Sequence, residues 1–440
     1  MSEALEQSDL REGYKEVQLG PKPAKIPSEW TVRKLDELTN NSGNYGANIS
    51  AIEYDPEKPR YIRITDIGDD GFLKDDDRKS IPRDDAEGYY LSAGDLLFAR
   101  TGATAGKSYL CREDGTDAAY AGYLIRFELN ESKVDTDFLA LYVQSKLYRD
   151  WVDRITRHGA QQNINASEYR GFDILYPPLP EQRRIADILS TVDEQIQQTD
   201  EIIEETKDLK QGLIQDLVFF GKSHNGTQTV QLGPMTTEIA ESWDVSTVGE
   251  ITTKAQYGSS ESLSTDGTYP VFRMNNIEDG KMVASPMKYS ELDDNQAEKY
   301  RVEKGDILFN RTNSIDLVGK SGIFDLDGEY VFASYLIRLR TNDQMNPYFL
   351  NYYLNSHIGQ GILFSIATRG ASQANINATN LKGVKVPLPP REQQDRIVGQ
   401  IQKVEEKIEQ ERETKQRLQE LKRGLMQDLL TGKVRVNTAD

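Results

Sequence analysis

The residues best suited to chemistry in this 440-residue chain are arginines and amides that follow strand-like runs. Arg100 ends the apolar run in AGDLLFARTG, and Arg311 ends the one in KGDILFNRTN. A guanidinium at the end of a buried strand can reach outward and bind phosphate or a guanine edge. The segments QQNINAS and QANINAT add amides, which can pair with adenine in the major groove. These residue types favour binding over catalysis.

The amides also have a purely structural interpretation, because such side chains cap turns and brace domains. The matched amides are Gln161, Asn163 and Asn165 in one segment and Gln373, Asn375 and Asn377 in the other. We favour bracing for the matched asparagines, since two domains that read different bases should differ where they read. Residues that read bases are therefore expected where the two halves of the chain differ, at residues 40–53 against 254–264 and 104–105 against 314–318.

A phosphate-binding loop is not predicted at residues 101–108, TGATAGKS. Three residues separate Gly102 from Gly106 there, whereas a P-loop has four. The matching segment keeps GKS at 319–321 but has Asn313 in place of Gly102. The pattern therefore predicts a turn between strands.

Other catalytic patterns fail in the same way. YPPL and NPYF lack the residues that a DNA amino-methyltransferase needs, DDRK is better interpreted as a solvated loop, and no Ser/His/Asp order is present. Metal and disulfide chemistry are not expected, because the Cys and His set is scattered, namely Cys111, His158, His224 and His357.

Composition is that of a soluble globular protein, with 37% hydrophobic and 28% charged residues. We expect a cytoplasmic protein, because no apolar run is long enough to span a membrane and the N-terminal segment is charged. The formal net charge of −18 argues against a uniformly basic nucleic-acid binder, although local basic surfaces remain possible.

The elements that must position these residues occur twice, about 212 residues apart. VQLGP occurs at 17–21 and 230–234, and YLIR occurs at 123–126 and 335–338. Trp30 matches Trp243, and LKQGLIQDL at 209–217 matches LKRGLMQDL at 421–429. Collinear matches over this length indicate a tandem duplication.

Each half combines short β-rich runs with helical patterns, at 137–155 and 346–366, and closes with a long amphipathic helix, at 181–222 and 393–433. Such a helix of about 35 residues is roughly 50 Å long. An apolar stripe of that length needs an equally long partner, and the candidate in this chain is the other copy.

The motifs PP-x-x-EQ-x-x-I, GL-x-QDL, GD-[IL]-LF-x-R-T and Q-x-NIN recur in order in both halves. Together they resemble the specificity subunit of Type I restriction-modification enzymes, from about residue 17 to residue 433. The second copy departs from the pattern at Gln393, which stands where the first has Glu181.

The resemblance implies a mixed α+β fold, with two tandemly duplicated target-recognition domains joined by two long helices that form an antiparallel coiled coil. It implies a non-catalytic subunit that reads a bipartite asymmetric DNA target. Two modification subunits would bind S-adenosylmethionine and methylate adenine, and restriction subunits with ATP and Mg²⁺ would translocate and cut. This chain would need no cofactor and no membrane. The alternative is a self-contained DNA methyltransferase or nuclease that carries its own reader.

The predicted organisation has six parts. They are an N-terminal arm with the first recognition domain (1–180), a spacer helix (181–222), a linker (223–238), the second recognition domain (239–390), a second spacer helix (391–433) and a tail (434–440).

Candidate contact residues follow from the repeated motifs. The candidates for DNA contact are Arg63, Arg100, Thr101, Lys107, Arg157, Gln161, Asn163, Arg273, Asn275, Arg311, Asn313, Lys320, Arg369, Gln373 and Asn375. The candidates for partner docking are Ile185, Ile196, Leu213, Leu217, Phe219, Phe220, Ile397, Ile408, Leu425 and Leu429. The helix ends carry more apolar residues than one stripe requires, so another element or a modification subunit is expected to cover Val218, Phe219, Phe220 and Leu430.

Overall fold

The computed structural model of the chain describes residues 11–112, 117–156, 163–221, 226–314, 317–369 and 373–437. Two compact units are formed: unit 1 comprises residues 1–199 and 414–440, and unit 2 comprises residues 200–413. The boundary falls inside both long helices. Each unit therefore holds one globular repeat and one end of each helix.

Unit 1 mixes short strands with helices. Its strands are β1 (Tyr14–Leu19), β2 (Lys22–Pro27), β3 (Thr31–Lys34), β4 (Asn44–Tyr45), β5 (Ile52–Glu53), β6 (Arg60–Ile62), β7 (Lys79–Ser80), β8 (Asp95–Ala99), β9 (Ser108–Leu110), β10 (Ala118–Tyr120), β11 (Leu124–Glu128) and β12 (Asp173–Tyr176). Its helices are α1 (Arg83–Ala86), α2 (Thr136–Tyr142), α3 (Lys146–Thr156), α4 (Ala166–Arg170) and the first part of α5 (Leu179–Phe220).

Unit 2 repeats this plan. Its strands are β13 (Thr227–Leu232), β14 (Met235–Ala240), β15 (Asp244–Thr247), β16 (Thr252–Tyr257), β17 (Tyr269–Phe272), β18 (Ile277–Glu278), β19 (Lys281–Met282), β20 (Lys288–Ser290), β21 (Ile307–Asn310), β22 (Thr312–Asn313), β23 (Ser321–Ile323), β24 (Val331–Phe332), β25 (Leu336–Thr341), β26 (Thr368–Arg369), β27 (Ala374–Asn375) and β28 (Lys385–Leu388). Its helices are α6 (Asp294–Tyr300), α7 (Pro347–Asn355), α8 (His357–Ile366), α9 (Ala378–Lys382) and the first part of α10 (Arg391–Leu429).

One strand in each unit positions the predicted arginine. In unit 1, β8 lies between β11 and β9 in the order β4-β11-β8-β9, and all its residues are buried. In unit 2, β21 lies between β25 and β23 in a six-stranded sheet, and it is also fully buried. Pairing on both edges and burial of both faces account for the continuous apolar runs LLFA in β8 and ILF in β21.

The two long helices pack against each other within each unit, and their directions are antiparallel. In unit 1, Ile185 and Leu189 near the start of α5 share a buried cluster with Met426 and Leu429 near the end of α10. In unit 2, the cluster joins residues near the end of α5 to residues near the start of α10, among them Ile214, Val218, Ile397 and Ile401. The predicted antiparallel pairing of the two copies is confirmed.

A buried glutamine secures the start of each long helix. In unit 1, Gln182 Oε1 accepts the backbone N–H of Asp135 at 3.0 Å, and its Nε2 donates to the carbonyl of Pro177 at 2.8 Å. In unit 2, Gln394 Oε1 accepts the backbone N–H of Asn346 at 2.7 Å. The glutamine of the EQ motif therefore fastens each helix to its globular repeat.

The predicted helical patterns are confirmed, each as a pair of helices, whereas the predicted linker needs correction. The helical pattern at 137–155 forms two helices, α2 and α3, and that at 346–366 forms α7 and α8, where Ser356 caps α8 by accepting the N–H of Gly359 at 3.1 Å. The predicted linker at 223–238 is wrong over its described part, because β13 and β14 pair from Thr227↔Ala240 to Leu232↔Met235. The run TQTVQL alternates between exposed and more buried residues and Gly233 has a φ of +68°, so this segment forms a hairpin.

Candidate nucleic-acid interface

In unit 1, Arg100 follows β8, and its guanidinium lies over the ring of Tyr45, with 4.9 Å between Cζ and the ring centroid. Its Nε donates to Asn163 Oδ1 at 3.4 Å, and its backbone N–H donates to the carbonyl of Tyr123 at 3.0 Å. The hydroxyl of Tyr45 accepts the backbone N–H of Ala166 at 3.3 Å. Segments that are distant in the sequence thus meet around one guanidinium.

Unit 2 builds the same arrangement. Arg311 follows β21, and its Cζ lies 4.8 Å from the ring centroid of Tyr257. Its backbone N–H donates to the carbonyl of Tyr335 at 3.1 Å, and the hydroxyl of Tyr257 accepts the backbone N–H of Ala378 at 2.9 Å. The duplication therefore preserves a three-dimensional site as well as the fold.

The amides are used differently in the two units. Asn163 accepts from Arg100, whereas Asn375 Nδ2 donates to Thr312 Oγ1 at 2.6 Å. Arg311 Nη1 instead donates to the carbonyl of Ser334 at 3.2 Å. We call these groups the tyrosine–arginine clusters: Tyr45, Arg100, Tyr123 and Asn163 in unit 1, and Tyr257, Arg311, Tyr335 and Asn375 in unit 2.

The aromatic rings of the clusters face solvent. Tyr45 is 43% exposed, Tyr123 58%, Tyr257 39% and Tyr335 46%. Tyr45 and Tyr257, each with an arginine over its ring, present a hydroxyl, an aromatic ring and a cation together, which are groups that bind nucleic acid. These tyrosines were not among the predicted contact residues.

A sequence signal for Tyr45 and Tyr257 was present in the glycine that follows each of them. A Cβ on Gly46 would lie 2.3 Å from the carbonyl oxygen of Tyr120, and one on Gly258 would lie 2.2 Å from that of Phe332. Only glycine allows this close backbone approach. The repeated Tyr-Gly pair at 45–46 and 257–258 could have located both sites.

Arg63 and Arg273 lie outside the clusters and brace their own loops. Arg63 Nη2 lies 2.6 Å from Asp66 Oδ1 and 3.2 Å from Asp77 Oδ2, which neutralises its charge. Hydrogen bonding to Asp66 raises the pKa of Arg63. Arg273 donates to the carbonyl of Pro286 at 3.1 Å.

Lys107, the lysine of GKS in unit 1, is also paired. Its Nζ lies 2.8 Å from Asp69 Oδ1 and 3.3 Å from the carbonyl of Ile67. The hydrogen bond from Lys107 lowers the pKa of Asp69. The segment itself forms a 3-10 turn at Gly102–Thr104 between β8 and β9, so the predicted turn is confirmed.

Lys320, the matching lysine of unit 2, is exposed, and no carboxylate of the described residues pairs with it. In the corresponding loop of unit 2, Asp279 binds Arg412 of α10 at 2.9 Å. Burial alone would raise the pKa of Asp279, but the hydrogen bond from Arg412 and nearby lysines hold it below its usual value. Equivalent lysines therefore carry different electrostatic environments.

The remaining predicted contact residues are dispersed. Thr101 forms an antiparallel backbone β-bridge with Asn163. Asn313 Nδ2 donates to Met274 Sδ at 3.2 Å. Asn275 and Gln373 are exposed. Arg157 and Gln161 lie outside the described residues, as does the side chain of Arg369.

The predicted docking residues are all buried or partly buried within the chain itself. Those buried in a unit are Ile185, Leu217, Phe219, Ile397, Ile408 and Leu429, together with Val218 and Leu430. Those partly buried are Ile196, Leu213, Phe220 and Leu425. As docking residues Ile185, Leu217, Phe219, Ile397 and Leu429 are wrong, because each belongs to the buried core of its own unit. Val218, Phe219 and Leu430 are covered by other elements of the chain, which was one of the two expected alternatives. The long helices instead expose Ile202, Leu209 and Leu421.

The described part of the chain contains no group of three or more His, Cys, Asp or Glu residues arranged to hold a metal ion. Among the described helices, none combines the length and the apolar character that crossing a membrane requires.

Comparison with known proteins identifies the family. The sequence matches the Type I restriction modification DNA specificity domain twice, over residues 27–207 and 240–420. These two segments cover most of the chain and correspond to the two halves of the duplication. The chain belongs to the family of Type I restriction-modification DNA specificity proteins.

Individual relatives agree with this assignment. A protein of Methanocaldococcus jannaschii named as the MjaX specificity subunit of a type I restriction enzyme is 25% identical, over 97% of this chain and 98% of its own length. The StySPI specificity subunit of Salmonella potsdam is 27% identical over 62% of this chain and 59% of its own.

Solved structures share the fold. A chain from a structure titled for complex assembly and conformational transition of the type I R-M system has a TM-score of 0.58 at 20% identity, covering 94% of this chain and 100% of that one. The Type I S subunit from M. genitalium has a TM-score of 0.53 at 16% identity, covering 94% and 98%. The mixed α and β fold with two tandem recognition domains is confirmed.

Proposed function

We propose that this chain recognises DNA for a Type I restriction-modification complex, with each globular repeat reading one half of a split, asymmetric target. The observation that supports this most directly is the pair of tyrosine–arginine clusters. Each cluster places a cation and exposed aromatic rings on the surface of its own repeat. One cluster per repeat suits a target with two halves.

The chain acts without chemistry of its own in this proposal. Two modification subunits would carry S-adenosylmethionine and methylate adenine, and restriction subunits would use ATP and Mg²⁺ to translocate and cut. Support comes from the relatives, which are named as specificity subunits. The exposed Leu209 of α5 and Leu421 of α10 occupy matching positions in the duplication, which suits two copies of one partner.

The charge balance favours cooperation with those partners. A net charge of −18 opposes non-specific attraction to DNA, which is largely electrostatic. We therefore expect the isolated chain to bind DNA weakly and in a salt-sensitive way, with tight specific binding in the complex. Nanomolar specific binding by the chain alone would contradict this expectation.

Methylation mapping tests the function as a whole. The chain and its modification partner are produced together in a host without adenine methylation, and methylated adenines are mapped across the genome. We expect one bipartite, non-palindromic motif with a fixed gap. The absence of any motif from an assembled complex, or a single undivided motif, would overturn the proposal.

A self-contained DNA methyltransferase or nuclease is the competing function. Transfer of a labelled methyl group to DNA by the purified chain alone, or cleavage by it with Mg²⁺, would support that alternative. No transfer by the chain, with transfer restored by the modification partner, is the outcome that the proposed function requires.

A further inference from the structure

We propose that Arg100 and Arg311 each hold a DNA phosphate, so that the tyrosine–arginine clusters supply a sequence-independent grip while the neighbouring divergent segments read bases. This inference rests on the proposed function and goes beyond it by dividing the contact surface into two roles.

The first support is that both arginines are held in the same way. The carbonyl of Arg100 accepts the backbone N–H of Ile164 at 2.8 Å, and that of Arg311 accepts the N–H of Ile376 at 2.9 Å. Each guanidinium lies over a tyrosine whose hydroxyl binds the start of a short helix, α4 or α9. Both units therefore present the same cation from the same backbone frame.

The second support is that the structure changes immediately beside each arginine. In unit 1 the chain turns through a short 3-10 segment, Gly102–Thr104. In both units the residue after the arginine pairs with the matched asparagine, as Thr101↔Asn163 and Thr312↔Asn375. In unit 2 the chain then continues as β22, which pairs further with β27 through Asn313↔Ala374. Groups that discriminate between different half-sites must differ between the units, whereas groups that grip a phosphate can be identical, because phosphates occur at every step of DNA.

The third support is the electrostatic state of the two guanidinium groups. Within the described residues, neither Arg100 nor Arg311 has a carboxylate partner, in contrast to Arg63 with Asp66. Arg311 Nε is buried and has no hydrogen-bond partner among the described residues. An unneutralised guanidinium, oriented by a ring beneath it, is suited to the bidentate geometry of a phosphate.

Neutral phosphate analogues test this directly with the unmodified protein. The complex of the chain with its modification partner is titrated with duplexes of the target, each carrying one methylphosphonate. We expect at least one position in each half-site where the neutral linkage weakens binding by about tenfold, as expected for the loss of a charged hydrogen bond. The Arg100→Ala complex should be insensitive to the position in one half-site, and the Arg311→Ala complex to that in the other.

Base-pair substitution distinguishes a grip from a reader. The same variants are titrated with duplexes that each carry one changed base pair in the target. For a phosphate grip, every duplex weakens by the same factor, and the slope of log affinity against log salt decreases by about one. A loss of discrimination at one base pair would overturn the proposal, because it would identify the arginine as a base reader.

Controls separate these outcomes from misfolding and from failure of the proposed function. Arg33→Ala removes a half-exposed arginine that pairs with Glu37, so affinity should not change. Arg100→Lys keeps the charge and should retain the salt slope, and thermal unfolding checks that each variant is folded. Unchanged affinity in folded Arg100→Ala and Arg311→Ala complexes would make both residues braces and overturn the proposal. If the unmodified complex bound no specific duplex, the proposed function itself would have failed.

Discussion

Unit 1 and unit 2 share their hydrogen-bonded framework but use equivalent charges differently. Trp30 Nε1 donates to Glu181 Oε2 at 2.9 Å, and Trp243 Nε1 donates to Gln393 Oε1 at the same distance. Glu181 is also bound by Arg435, at 2.6 and 2.9 Å. Gln393 thus keeps the acceptor for tryptophan without the charge that Arg435 balances in unit 1.

The ion pairs between the long helices show the same contrast. In unit 1, Lys422 lies 2.5 Å from Asp193, and in unit 2 Lys210 lies 3.5 Å from Glu405. These are matching positions in the duplication. Glu405 has a second partner, Lys281 at 3.1 Å.

The duplication retained some of these features and changed others. Acceptors that fix the packing of a buried tryptophan are preserved, because an unpaired buried donor costs free energy in either unit. Charges near the surface can be exchanged or regrouped at little cost. The tyrosine–arginine clusters are also preserved in both units. Because their rings are exposed, folding alone does not explain why they are preserved, and a role in binding does.

The largest expected effect comes from removing the tryptophans. Trp30 is 0% exposed and Trp243 is 3% exposed, so each alanine variant should lower the free energy of unfolding of its own unit by about 3–5 kcal/mol. Hydrogen exchange of peptides from each unit, in increasing denaturant, measures the two effects separately. Equal loss of protection in both units from one substitution would show that the units unfold as one.

The helix–helix ion pairs should differ in strength. Lys422→Ala leaves the carboxylate of Asp193 without its partner and should destabilise unit 1 by about 1–3 kcal/mol. Lys210→Ala should cost less, about 1 kcal/mol, because Lys281 still balances Glu405. Urea denaturation compares them, with Lys207→Ala as a control at a partly exposed lysine of α5. Equal losses for Lys422→Ala and Lys210→Ala would refute the role assigned to Lys281.

Unit 1 has the charged pair Glu181 and Arg435 at the start of its long helix, where unit 2 has the neutral Gln393, and this difference can be removed by substitution. Arg435 is partly exposed, so Arg435→Ala should destabilise unit 1 by only about 1–2 kcal/mol. Adding Glu181→Gln should restore part of this loss, because glutamine accepts from Trp30 without a buried charge, as Gln393 does from Trp243. A double-mutant cycle by thermal unfolding measures the coupling, and strictly additive losses would contradict it.

The smallest effect is expected at the matched helix glycines. A Cβ on Gly212 or Gly424 would meet nothing within 4 Å, so alanine at either position should stabilise its unit by about 0.5–1 kcal/mol. Thermal unfolding of the chain measures the gain, and a loss of stability in either variant would show an unrecognised constraint. A gain accompanied by weaker assembly with the modification subunits would place a partner against the bare backbone at these glycines.

Local patterns in the sequence were sufficient to predict the architecture of the chain. The repeats, the two long amphipathic helices and their mutual pairing could all be predicted, because hydrophobic periodicity and duplicated motifs are properties of nearby residues. The VQLGP repeat also contained the hairpins β1–β2 and β13–β14, although the second was interpreted as a linker from its Gly, Ser and Asn content. In that segment the alternating burial of six residues, which is typical of a strand, decided the structure rather than the loop-like composition.

Two features depended on long-range packing: the assembly of the tyrosine–arginine clusters, and which surfaces bury the apolar residues of the long helices. Periodicity shows that Phe219 and Leu429 must be buried, but it does not show whether a partner or the chain itself buries them, and both lie in their own unit's core. Likewise, Arg100 and Arg311 stood out in the sequence, while Tyr45 and Tyr257 did not. Those rings reach the arginines only because the sheets bring distant segments together. The repeated Tyr-Gly pair marks a close backbone approach, but it does not show which side chain each ring contacts.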